Sequence, residues 1–317
     1  MAWLKAEART VTITLPDGVE RDFPLARLTT VRTGGSADLF ARPASASKVV
    51  ELLSWADDKG LDVGVIGSGS NLLVSDLGFR GLVLKLDGHL TEMTFSDTEV
   101  KCGGGARLPR VAARSADAGL SGLEFGVNIP GTVGGAIKMN ANAYGGELER
   151  VLDWAEIATP QGVERRTPSE LGFSYRKSNI AGRQIVTRAQ FSLSGAETTE
   201  VKQRLAELRD RRKAAQPSGI KTFGSTFKNS DDPRAEGRTA GQLLEAAGCK
   251  CLELGGARLS PKHANFVENH SDATTADIIG LIAEGRRRVE KLTGITLETE
   301  VQVLGEVDPA LWKASSQ

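Results

Sequence analysis

Glycine falls in clusters along this chain, and the clusters restrict what it can fold into. The chain has 36 glycines in 317 residues. Many gather in Gly67-Ser68-Gly69-Ser70-Asn71, in Gly103-Gly104-Gly105 and around Gly131, Gly134 and Gly135. Glycine reaches backbone conformations barred to other residues and lets the main chain approach a ligand closely. No fixed-period repeat or low-complexity linker accounts for the clusters. In a non-repetitive globular chain they point to a ligand held largely by backbone amides.

Composition narrows the class further. The length allows about two domains or one large one. Forty per cent of residues are hydrophobic and 25% charged, as in ordinary soluble globular proteins. Lys plus Arg equals Asp plus Glu, 40 against 40, so no net field draws nucleic acid or an acidic membrane. Three cysteines cannot build a disulfide framework. Cys249 and Cys251 are neighbours, but no His/Cys cluster completes a metal site around them; they read as reduced thiols in a reducing compartment. The N-terminus, Met1-Ala-Trp-Leu-Lys-Ala-Glu, lacks the apolar core of a signal peptide. No apolar run approaches the ~18 residues that cross a bilayer. The default is a cytosolic protein.

Periodicity places the motifs. Residues 45–59 read as an amphipathic helix with Ser45 as N-cap, an apolar face of Val49, Val50, Leu52, Leu53 and Ala56, and Gly60 as the stop. Strands are expected at Leu61–Ile66 and Gly81–Leu86, at Glu99–Cys102 before a helix to about Ala118, and near 152–158 and 184–193. Thr198–Lys213 turns helical on Val201, Leu205 and Leu208. A domain boundary is expected near 215. Beyond it come a helix at about 239–247, a strand and turn near 254–266, and a helix at about 275–292. Thr274 and Asp277 form a capping box for that last helix, and Gly294 closes it. Leu297–Leu304 reads as a final strand with Glu298, Glu300 and Gln302 on one face. The mixed order argues for an α+β chain rather than a doubly wound parallel sheet.

Read singly, the motifs leave alternatives open. Gly67-Ser68-Gly69-Ser70-Asn71-Leu72 follows a strand, yet it fails both the Rossmann and the P-loop patterns. It is either a nest for a diphosphate or a structural turn. In Ile129-Pro130-Gly131-Thr132-Val133-Gly134-Gly135-Ala136, Thr132 suits a helix start whose amides face an anion. The paired glycines then pack on a flat ligand, or else on neighbouring backbone. Phe223-Gly224-Ser225-Thr226-Phe227-Lys228-Asn229 sets a hydroxyl near a cation and an amide. That suits anion binding or proton transfer, or simply a strand entering a turn. Tyr175-Arg176-Lys177 is a solvated cluster or a substrate contact. His263 is a lone histidine, of a kind more often structural. Gln242 and Glu245 face a ligand or water.

Together these stretches resemble the UDP-N-acetylenolpyruvoylglucosamine reductase family over residues 26 to 305. The motifs that carry the resemblance stand in the family's order. They are Thr30-Val-Arg-Thr-Gly-Gly, Gly67-Ser-Gly-Ser-Asn-Leu-Leu, Ile129-Pro-Gly-Thr-Val-Gly-Gly-Ala, Met139-Asn-Ala-Asn-Ala-Tyr-Gly, Tyr175-Arg176, Gly224-Ser-Thr-Phe-Lys-Asn, Ala240-Gly-Gln-Leu-Leu-Glu-Ala-Ala-Gly, Lys262-His-Ala-Asn-Phe and Glu300-Val. The stretch from Arg176 to Ser225 is brief, as in the shorter subtype. Asn128, Lys138, Gln302 and the polar segment Ser230–Arg238 depart from the pattern.

The resemblance implies an α+β chain with a two-subdomain FAD-binding fold of the PCMH/VAO type and a smaller α+β substrate-binding domain. The FAD-binding region covers 1–214, in subdomains of about 1–86 and 87–214. The substrate domain covers 215–298, and 299–317 returns to the active site. It implies FAD held by Gly67, Ser68, Gly69, Ser70, Asn71, Ile129, Pro130, Gly131, Thr132, Gly134, Gly135 and Ala136, with NADPH as reductant. The implied reaction reduces an enolpyruvyl ether of UDP-N-acetylglucosamine to UDP-N-acetylmuramate in peptidoglycan synthesis. Arg176 stabilises the developing enolate, Ser225 protonates the carbanion, and Glu300 sits by the substrate carboxylate, protonated or orienting a hydrogen bond. Tyr175, Lys228, Asn229, Gln242, Lys262 and His263 bind substrate. No metal, nucleic acid or membrane is expected, and the chain is expected to be a cytoplasmic monomer. Two rivals stand beside this reading: a sugar or lactone oxidase tethering FAD through a histidine, with His89 in a different context, and a non-enzymatic nucleotide-sugar binder.

Overall fold

The computed structural model describes residues 14–312. The N-terminal stretch read for a signal peptide and the last five residues of the expected returning tail lie outside the described residues.

The first sheet is joined through the helix Ala46–Asp58, which links two of its parallel strands. Ser45 caps that helix, accepting from Lys48 N at 3.2 Å, and Val49, Leu52, Leu53 and Ala56 are fully buried. The sheet runs Val19–Pro24, Ser36–Ala41, Phe79–Leu84, Val63–Val65. Its first pair is antiparallel and the other two are parallel. The two expected strands at 61–66 and 81–86 are therefore present, shortened or displaced by two residues.

The second sheet has five antiparallel strands, in the order Gly162–Arg166, Leu152–Thr159, Ile185–Ser192, Glu99–Gly103, Met93–Ser96. Val100, Ile157 and Phe191 point into a core shared with Val111 of helix Leu108–Asp117 and Ile137 of helix Val133–Lys138. The helix Thr198–Ala215 buries only Val201 and Leu205; most of its charged residues face water, and Arg212 lines the cleft described below.

The third sheet is small: Glu253–Leu254, Ala257–Leu259 and Val267–Asn269, all antiparallel. It packs with helices Ala240–Ala246 and Thr275–Thr293 in one cluster that also contains Val31 and Leu73. The third region is thus seated directly on the first. Thr274 and Asp277 form the expected capping box, and Gly294 ends the long helix in the left-handed conformation.

The chain then returns. Leu297–Leu304 is not one strand: only Gln302–Leu304 is, pairing in parallel with Leu72–Val74. The backbone changes partner on the way. Lys228 N donates to Glu298 O at 2.9 Å and Glu300 N to Thr226 O at 2.8 Å, whereas Gln302 N donates to Asn71 O at 3.1 Å. Val301 is the bend between the two. Glu298 and Glu300 therefore do not share one exposed face. The Glu298 side chain is 76% exposed and that of Glu300 only 17%.

No helix among the described residues is long and apolar enough to cross a membrane, and no group of three or more His, Cys, Asp or Glu there could hold a metal.

Asp76 and Thr275 fix the third region's long helix to the first, Thr275 Oγ1 donating to Val74 O at 2.6 Å. Asp76, which follows strand Leu72–Val74, accepts from Thr275 N through Oδ1 and from Ala276 N through Oδ2, both at 2.9 Å. A carboxylate on unpaired first-turn amides satisfies donors that the helix itself leaves open. We expect Asp76→Ala to destabilise the protein by about 1–2 kcal/mol, read as a lower denaturation midpoint. An unchanged midpoint would show that Thr274 caps the helix alone.

Candidate active site

Five segments distant in sequence line one cleft of about 510 Å³. The turn Gly67–Asn71 forms one wall. The segment Ile129–Ala136 faces it. Arg176 comes from a loop after the second sheet's hairpin, and Ser225 and Glu300 come from the third region and the return segment.

The two glycine-rich turns pack against each other. A Cβ on Gly67 would stand 2.6 Å from Thr132 Oγ1, and one on Gly69, at φ +64°, only 2.1 Å from Leu28 O. Thr30 ties the first turn to the Ser225 segment: its N and Oγ1 donate to Gly69 O at 3.0 and 3.1 Å, and Oγ1 reaches Thr222 O at 2.6 Å. Thr132 caps helix Val133–Lys138, accepting from Gly135 N at 3.3 Å. Gly134 and Gly135 have different reasons. Gly134 donates to Gly104 O at 2.8 Å, and its Cβ would lie 3.0 Å from that oxygen. Gly135 would meet only Thr132 Oγ1 at 3.4 Å. Both line the cleft, and only the first also packs on backbone.

None of the amides of residues 67–71 is taken up by a described residue. A cleft walled by such amides and by glycine is a nest for an anionic group, and it fits the diphosphate of FAD. Sequence reasoning missed Lys85, which also lines the cleft and donates from Nζ to Gly67 O at 2.5 Å. Burial, with the Arg42 charge next, lowers its pKa. Its position at the end of an apolar strand offered no signal of this.

Arg176 sits at the head of a tight turn closed by Ser174 N to Lys177 O at 3.0 Å and Lys177 N to Ser174 O at 3.1 Å. Its φ is +56°, a conformation uncommon for a side-chain-bearing residue. The guanidinium donates from Nε to Glu300 Oε1 at 2.7 Å and from Nη1 to Asn142 Oδ1 at 2.5 Å. Both members of the ion pair are 17% exposed. Burial pushes the Glu300 carboxyl above its ordinary range, against the pull of the Arg176 charge and hydrogen bond and of the Lys228 charge.

Ser225 is held by backbone on both sides. It bridges Phe266, Gly224 before it has φ +85°, and Thr226 N donates to Asn265 O at 2.8 Å. Asn265 also accepts from Phe227 N at 2.8 Å and donates to Phe227 O at 2.9 Å.

All twelve residues expected to hold the cofactor line the cleft, as do Arg176, Ser225 and Glu300. The six expected to bind substrate stand outside its lining. Tyr175 puts its ring 5.1 Å from the Arg176 guanidinium. Lys228 pairs with Glu298 at 3.1 Å. Asn229 Oδ1 accepts from Ala240 N at 3.0 Å, and Gln242 Oε1 accepts from Thr239 N at 2.8 Å, so both serve a helix start. Lys262 Nζ donates to Lys213 O at 2.7 Å, and the His263 ring meets Phe266 edge-on at 4.9 Å. His89 is exposed, 3.2 Å from Glu92, and away from the cleft lining. Of the departures from the family pattern, Asn128 donates to Leu208 O at 2.7 Å, joining its turn to helix Thr198–Ala215, and Gln302 Nε2 donates to Glu300 O at 3.1 Å.

Known proteins bear on this geometry. Residues 216–304 match the family "UDP-N-acetylenolpyruvoylglucosamine reductase, C-terminal domain" and residues 37–167 match "FAD binding domain". A UDP-N-acetylenolpyruvoylglucosamine reductase of Agathobacter rectalis is 41% identical over 94% of this chain and 98% of its own. The chain belongs to the UDP-N-acetylenolpyruvoylglucosamine reductase family. Reductase 2 of Symbiobacterium thermophilum, another member, is 40% identical over 92% of this chain and 93% of its own. The crystal structure of the reductase from Thermus caldophilus superposes with a TM-score of 0.78 at 35% identity, covering 90% of this chain and 98% of that one. The family's FAD-binding fold, with a smaller α+β domain following it, is therefore the architecture of this chain.

The two glycines after Thr132 separate packing from cofactor binding. Gly134→Ala is expected to destabilise the protein by about 1–3 kcal/mol through overpacking. Gly135→Ala is expected to leave the thermal midpoint in place and lower the affinity for FAD, read by flavin absorbance after titration. Equal effects at both positions would contradict the assignment.

Proposed function

We propose that this protein reduces the enolpyruvyl group of UDP-N-acetylglucosamine enolpyruvate to UDP-N-acetylmuramate, with FAD as cofactor and NADPH as reductant, in peptidoglycan precursor synthesis. The observation that carries the proposal is the buried Arg176–Glu300 pair at 2.7 Å in a cleft also lined by Ser225 and by both glycine-rich turns. The amides of 67–71 and the segment 129–136 would hold FAD, which would supply the hydride chemistry. The remaining work falls to side chains.

Hydride addition at the terminal vinyl carbon leaves negative charge on the neighbouring carbon and its carboxylate. Arg176 faces that charge. Its guanidinium is already oriented by Glu300 and Asn142, so little reorganisation accompanies the reaction. A preorganised donor of this kind is worth roughly 2.7–4 kcal/mol of barrier. Ser225 Oγ gives its proton to the carbanion. A serine hydroxyl is a weak acid, and the transfer works because the enolate is strongly basic. Such a positioned donor contributes about a hundred- to ten-thousand-fold. Glu300 lies where the substrate carboxylate is received, and its raised pKa lets it become neutral when that second anion arrives. Lys228 lies close enough to Glu300 to act on its charge, which supports a place for it at the edge of the substrate site.

In this reading, residues 1–214 carry FAD in subdomains of about 1–86 and 87–214, residues 215–298 carry substrate, and the segment from 299 returns to the reacting centre. The end of helix Thr198–Ala215 and the matched range 216–304 support the division. The substrate is a soluble UDP-sugar, and we place the enzyme in the cytoplasm as a monomer.

Ser225→Ala tests the proton donor. NADPH should bleach the bound flavin at the parent rate. Recovery of absorbance on adding the enolpyruvyl substrate should slow by about a hundred- to ten-thousand-fold. Parent-like recovery would remove Ser225 from that role.

A further inference from the structure

The turn that carries Arg176 is held from one side by a single short loop. Ser178 Oγ donates to Lys138 O at 2.8 Å, Asn140 Nδ2 to Ser174 O at 3.3 Å, and Arg176 Nη1 to Asn142 Oδ1 at 2.5 Å. Three alternate positions, 138 at the helix end and 140 and 142 in the loop, thus fix the end, the start and the tip of the turn in that order. The loop is itself anchored. Asn142 pairs with Glu147 in a two-residue hairpin ladder, and Gly146 of that ladder lies against the Phe125 ring, where a Cβ would stand 2.4 Å away.

A guanidinium has donors only, so the amide oxygen of Asn142 must face it. The acceptor is neutral. It aligns the guanidinium without cancelling its charge, whereas Glu300, on the Nε side, is a second anion in the site. Two acceptors on different edges define the plane of the group; one acceptor leaves it free to swing about a single bond. Arg176 also stands on a backbone at φ +56°, so the turn alone has little latitude to re-aim it.

We propose that Asn142 is a positioning residue for the reaction: its side-chain oxygen sets the plane in which Arg176 meets the substrate's developing negative charge. The inference rests on the assignment of Arg176 to that charge. Misplacing a reacting group by an ångström costs about a hundredfold in rate, and loss of one of two anchors is a change of that order or smaller.

The test compares Asn142→Ala and Asn142→Asp in the FAD-loaded full-length enzyme, with Arg176→Ala as reference. Flavin bleaching by NADPH should be parent-like in both Asn142 variants. Asn142→Ala should slow recovery by the enolpyruvyl substrate about ten- to a hundredfold at saturation, with KM little changed. Asn142→Asp restores the oxygen and should recover most of that rate, but raise KM, because it adds an anion beside the incoming carboxylate. Equal impairment in the two variants would reduce Asn142 to packing and overturn the inference. Parent-like recovery in Asn142→Ala, with collapse in Arg176→Ala, would overturn it alone. Parent-like recovery in both Asn142→Ala and Arg176→Ala would overturn the role of Arg176 as well.

Discussion

The ion pair between Arg176 and Glu300 joins residues 124 apart in sequence, and the site exists only because the chain brings them together. A buried pair of this kind adds little net stability, since desolvation offsets most of the attraction. Its value is placement. Glu300 reaches it because the return segment leaves the Ser225 segment at Thr226 and joins Asn71, at the head of strand Leu72–Val74. Asn71 belongs to the same turn that lines the cofactor cleft, and its Nδ2 donates to Glu300 O at 3.2 Å. The turn Gly67–Asn71, the Ser225 segment and Glu300 are therefore parts of one hydrogen-bonded junction.

The electrostatics follow from that burial. An exposed glutamate next to arginine would titrate low. Here desolvation outweighs the pull of Arg176 and Lys228, and the carboxyl is raised. As pH falls, Glu300 takes a proton sooner than an ordinary glutamate. A substrate carboxylate placed beside it disfavours its charged form further.

Much of this was legible in the chain. Ser45, Thr132 and the Thr274–Asp277 box cap the helices they were expected to cap, because capping is local and depends on residues three apart. The glycine clusters marked the cleft, because close backbone approach excludes every other residue. What escaped depends on partners far away. Asp76 caps a helix that starts about 200 positions later. Asn142 and Lys85 act through tertiary contacts that no spacing encodes. Asn229 and Gln242, expected to bind substrate, are engaged at the start of helix Ala240–Ala246. Leu297–Leu304 alternates as a strand should, yet a change of pairing partner bends it at Val301, and alternation carries no record of which neighbour a strand will have.

Proton linkage tests the central claim most directly. Titrating the FAD-loaded enzyme with UDP-N-acetylmuramate, in buffers of different ionisation enthalpy, measures the protons exchanged on binding. If the buried pair receives the ligand's carboxylate, the parent takes up protons at pH values above the raised pKa of Glu300, and Glu300→Gln takes up none. Binding without proton uptake in the parent, or the same uptake in Glu300→Gln, would contradict the account.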